Sequence, residues 1–135
     1  MRIALIGAPL LYFLISSVVY GSEGEYICKI EHVYGVSNVG SLEKTWNGLF
    51  DGDEFIVDRA SGAIRGDTLT TVLAKSTRVI EKGSTANAFK SIADFGNQLQ
   101  LTEVLEYREG IDKPFVAASM GGAGIVTGLC KSRNN

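Results

Sequence analysis

The chain has 135 residues, 45% of them apolar, two cysteines, one histidine and a net charge of −2. That length fits one domain, and so mild an acidity gives no reason to expect nucleic acid or an anionic membrane surface as a partner. One histidine and two cysteines are too few for a zinc site, and neither a metal nor a cofactor is expected.

Met1-Arg2 is a short positive start, and residues 3–19 then run almost without a polar group. Val19-Tyr20-Gly21 follows, with small residues at its first and third positions. Together these form the three-part pattern of a secretory signal peptide, cleaved after Gly21. An apolar run of about 17 residues is at the short limit for a membrane span, and Pro9 lies within it. Residues 1–21 are therefore expected to leave as a signal rather than stay as an anchor. The membrane is then only a transient partner. Residues 22–135 form the exported domain, periplasmic or secreted, and loss of Arg2 makes its net charge −3.

Export decides how the cysteines are read. In an oxidising compartment Cys28 and Cys130 are expected to pair. Such a bond closes a loop of roughly 100 residues, which chain entropy values at about 4–5 kcal/mol. It also sets the first and last structured segments side by side.

The first strand is expected over residues 24–33, with Tyr26, Cys28, Ile30 and His32 on one face. Residues 34–50 read as a long loop, with one helical turn opened by Ser41 over residues 41–44. Tyr34 and Trp46 lie in that loop, as caps of an open end or as binding anchors. Residues 54–59 alternate, with Phe55 and Val57 on one face, and residues 63–67 return after a turn at residues 60–62, a hairpin signal. Residues 69–74 are ambiguous and residues 77–82 strand-like.

The stretch 86–96 fits a strand, with Phe89, Ser91, Ala93 and Phe95 on one face, or a helix capped by Ser84. The short links around it favour the strand. Residues 99–108 read as the longest strand, with Leu99, Leu101, Leu105 and Tyr107 on its inner face. Glu103 falls on that same face. A carboxylate there must either pair inside, as in the lining of a ligand cavity, or be turned outward by a bulge. Residues 115–119 and 125–131 are the last strands, joined by a tight turn at residues 121–124, and the tail 132–135 is expected to fray. Seven or eight short strands at regular spacing predict an all-β antiparallel meander. A closed or nearly closed barrel is favoured over a two-sheet sandwich, because a bond between first and last strands is how an up-and-down barrel closes.

Short motifs add little. Gly121-Gly122-Ala123-Gly124 opens no helix, so it is a hairpin turn rather than a phosphate loop. Arg65-Gly66-Asp67 sits at a strand end, and the Asp51-Asp53-Glu54 cluster lacks the spacing of a calcium loop. A lipid-facing barrel is disfavoured, since Lys29, Glu31, Glu106 and Arg108 would face lipid. The expectation is a small exported binding protein for an apolar ligand or a protein partner, with Tyr34, Trp46 and Glu103 as candidate site residues. The alternative is a small secreted hydrolase using His32 with a nearby carboxylate.

Overall fold

The computed structural model describes residues 24–45, 48–120 and 124–134. The described residues hold nine strands and no helix: β1 (Glu25–Val36), β2 (Leu42–Lys44), β3 (Glu54–Asp58), β4 (Ile64–Gly66), β5 (Ser76–Lys82), β6 (Phe89–Asp94), β7 (Leu99–Val104), β8 (Lys113–Met120) and β9 (Gly124–Arg133). All pairings are antiparallel, in one sheet ordered β4-β3-β1-β9-β8-β7-β6-β5, with the short β2 on the far end of β1. The sheet curls strongly into a half-barrel.

First and last strands pair along almost their whole length, from Glu25 opposite Arg133 to Gly35 opposite Gly124. Cys28 and Cys130 are directly opposite, disulfide-bonded, with Cα atoms 3.9 Å apart. That separation marks a non-hydrogen-bonded antiparallel pair, where facing side chains stand closest. The ring thus closes between β1 and β9. It opens between β4 and β5, where residues 67–75 cross the seam. Thr71 covers the edge of β4: its amide donates to the Ile64 carbonyl at 3.0 Å, and its hydroxyl accepts from the Ile64 amide at 2.9 Å.

The interior is filled by side chains reaching across it. Tyr26 of β1 meets Phe89 of β6 edge-on, with ring centroids 5.3 Å apart, and Phe55 of β3 meets Phe115 of β8 at 5.1 Å. Ile30, Val57, Val104 and the disulfide complete the core. Besides Phe89, Val104 and Phe115, several inner positions of β6 to β8 are small: Ser91, Ala93, Thr102 and Ala117. The turn between β3 and β4 packs onto them. Gly62 there has φ +76° and comes so close that an added Cβ would lie 2.8 Å from the Cβ of Ser91.

Several expectations are corrected. The expected helical turn at residues 41–44 is instead β2, paired to β1 through Tyr34–Lys44, Gly35–Glu43 and Val36–Leu42. A bulge shifts the β1–β9 register between Ile30 and His32, so Val33 turns inward and His32 outward. Gly128 sits opposite that bulge, where any Cβ would collide with the Lys29 carbonyl oxygen. The strand expected over residues 99–108 ends at Val104, and its faces are reversed: Gln100, Thr102 and Val104 point in, Leu99, Leu101 and Glu103 out. The tail is strand as far as Arg133, because Ser132 and Arg133 continue the ladder opposite Tyr26 and Glu25, and the Arg133 side chain also pairs with Glu25. Within residues 86–96 the strand spans Phe89–Asp94, with Phe89, Ser91 and Ala93 buried, while Phe95, expected on the same face, follows the strand and is part-exposed.

Candidate functional site

The reversal of β7 places an apolar stripe on the outside. Because each strand is in register with the next, outward residues line up across the sheet: Ile92 of β6, Leu101 of β7, Ala118 of β8, Ile125 of β9 and Tyr34 of β1. Strands about 4.8 Å apart make this row roughly 20 Å long. Ile80 of β5, the extra residue at a second register shift, stands beside it 53% exposed, and Leu101 is 42% exposed. Between them lies a depression of about 260 Å³ lined by Ile80, Lys90, Leu101, Glu103, Val116 and Ala118. An apolar patch on the open face of a sheet marks an interaction surface more often than a single exposed leucine does.

The row beside the stripe is mixed. Glu81, Lys90, Glu103, Val116, Thr127 and His32 follow one another across β5 to β9 and β1. Glu103 is therefore not an internal carboxylate: it is outward, part-exposed and 3.9 Å from the Lys90 ammonium. Such a pair contributes little to stability. Tyr34 belongs to the same outer face, half-buried, its ring centroid 6.0 Å from that of His32. Tyr34 and Glu103 are three strand spacings apart, about 14 Å, and do not share a pocket. Trp46 lies outside the described residues, as does most of the glycine turn at residues 121–124. The outward aliphatics Ile80, Ile92, Leu101, Ala118 and Ile125 were not foreseen as a site. Glu103 was the signal for them, since a carboxylate among leucines marks their face as the wet one.

His32, the histidine of the hydrolase alternative, stands on β1 opposite Thr127 of β9. It is exposed on the outer face and, among the described residues, makes no hydrogen bond or ion pair. No group of three or more His, Cys, Asp or Glu side chains suited to a metal occurs among the described residues.

The buried charges are structural. Glu25 lies between Arg133 of β9 and Arg65 of β4, the latter at 2.8 Å, and so ties three strands together. The Arg133 hydrogen bond, joined by that of Arg65, holds its carboxyl below the ordinary range against the opposing effect of burial. At the same end the Tyr26 ring lies under the Arg59 guanidinium, 4.7 Å away. Burial pushes the Tyr26 hydroxyl up, the neighbouring Glu106 carboxylate adds to this, and Arg59 opposes it. The Tyr26 hydroxyl, Arg59 Nε and one Glu106 oxygen are buried there, short of bonding geometry.

No family model, no curated protein and no solved structure matches the chain.

Proposed function

We propose that this chain is a small exported interaction protein that binds a protein partner on the outer face of β6–β9 and the adjoining end of β1. The observation that carries this reading is the outward-facing row Ile92–Leu101–Ala118–Ile125–Tyr34, exposed at Leu101 and half-buried at the other four, on a half-barrel whose interior is already filled. Tyr26–Phe89 and Phe55–Phe115 occupy the space an internal apolar ligand would need, which favours a surface partner over such a ligand. The Cys28–Cys130 disulfide supports an oxidising compartment, and with it export behind a signal at residues 1–21.

The test is a photo-crosslinking amino acid placed at position 101 in the full chain, in cells. A control is placed at Ile111, which is 83% exposed and away from the stripe. A discrete protein adduct from position 101 and none from position 111 is the expected result. Equal or absent labelling at the two positions sinks the reading.

A further inference from the structure

We infer that the partner of the outer stripe is a second copy of this chain, an inference that rests on the interaction reading above. β6 carries three outward side chains in line: Lys90, Ile92 and Asp94. A cation and an anion thus stand on either side of an isoleucine, each about 6.8 Å along the strand.

Consider a two-fold axis in the contact plane, running along the apolar row and crossing β6 at Ile92. It reverses the strand direction of the second copy and preserves the order of the strands. Ile92 then meets Ile92 on the axis, with Leu101 of each copy beside it in the same register row, while Ala118 and Ile125 curve away with the sheet. Lys90 of each copy comes over Asp94 of the other, twice in the same interface. Sheets stacked face to face sit about 10 Å apart, within reach of a lysine and an aspartate pointing at one another. An isologous contact requires this kind of self-complementarity, which an unrelated partner would not impose.

Both charged groups have capacity to spare. The Lys90–Glu103 pair is 3.9 Å long and open to solvent, so Lys90 keeps donors for a second carboxylate. Asp94 uses one oxygen to accept from the Gly96 amide at 2.7 Å, which leaves the other. At the β5 end of the row Arg78 faces Arg78 of the other copy. Glu81, in register with the outward Lys90, supplies countercharge beside it.

Sedimentation of the purified, oxidised full chain tests the proposal. The wild type is expected to show a monomer–dimer equilibrium that weakens as salt rises. Leu101→Asp, Lys90→Asp and Asp94→Lys are each expected to weaken it by about tenfold or more. An equimolar mixture of the Lys90→Asp and Asp94→Lys chains is expected to form a heterodimer close to wild-type affinity, since every charge then faces its opposite. Mixing would not repair damage to the fold, so this recovery separates a lost contact from a misfolded variant.

A wild type that stays monomeric up to its solubility limit overturns the inference. So does a dimer indifferent to Leu101→Asp, or a mixture no tighter than the single variants. A monomeric wild type that still cross-links from position 101 to a different protein ends self-pairing and leaves the interaction reading standing. A monomer with no adduct ends both.

Discussion

Glu25 is a nearly buried carboxylate held by two arginines that the chain delivers from opposite sides, Arg65 on β4 and Arg133 on β9. Arg133 foremost, with Arg65, lowers its proton affinity in the folded state. The unfolded chain therefore binds the proton more readily. Stability from this group is present above the unfolded value of about 4.3 and is lost as pH falls through the lower folded value. Asp58 acts in the same sense, lowered mainly by the Ser61 amide. The urea midpoint is expected to hold between about pH 7 and 5 and to fall below about pH 4.5, and Glu25→Gln to remove part of that fall. An unchanged acid limb in Glu25→Gln would contradict the assignment. At the bulge, Gly128→Ala puts a methyl against the Lys29 carbonyl and the Phe115 ring. A loss of about 1–3 kcal/mol is expected from the overpacking, read from chemical denaturation.

On β7, alternation was legible in the amino-acid sequence, but its direction was not. Leu99 and Leu101 read as core, yet Gln100, Thr102 and Val104 are the buried set. Small polar residues suit the inner face here because the β3–β4 turn packs directly onto β6, at Gly62 against Ser91. That packing partner is remote in sequence, so no local pattern announces it. The two orientations make opposite forecasts. Val104→Ala is expected to cost about 2–3 kcal/mol, whereas Leu101→Ala costs less than about 1 kcal/mol. Glu103→Gln is expected to stay within about 0.5 kcal/mol of wild type, as befits a surface pair. Denaturation midpoints in the reverse order would restore the sequence-based orientation. The same limit applies to His32: its face depended on a bulge one residue earlier, and a slip of one residue exchanges every side chain between faces.

For the molecule as a whole, the disulfide joins residues 102 apart in sequence that are already neighbours in the β1–β9 ladder. Chain entropy values such a closure at about 4–5 kcal/mol, most of it through the unfolded state. The double variant Cys28→Ala/Cys130→Ala is expected to lose about 2–5 kcal/mol and to keep its strand content, because the β1–β9 hydrogen bonds remain. Urea titration with far-UV circular dichroism checks both parts, and loss of the β signal without denaturant would show that the clasp is a condition of folding. Curling around a filled interior also turns the outer faces of β6 to β9 into one convex surface. On that surface the aliphatic row and the Lys90–Ile92–Asp94 line acquire a common geometry.

The amino-acid sequence by itself determined the all-β class, most of the strands and the pairing of Cys28 with Cys130. These rest on short-range alternation, on turn residues and on there being only two cysteines to join. Only the tertiary structure decided which face of β7 is buried, where the ring stays open and which side chains share the outer stripe. Those features depend on register between strands distant in sequence, on two one-residue shifts, and on a turn packed across the interior. The outward row from Ile92 to Tyr34 is assembled from five strands, and no single stretch of the chain contains it.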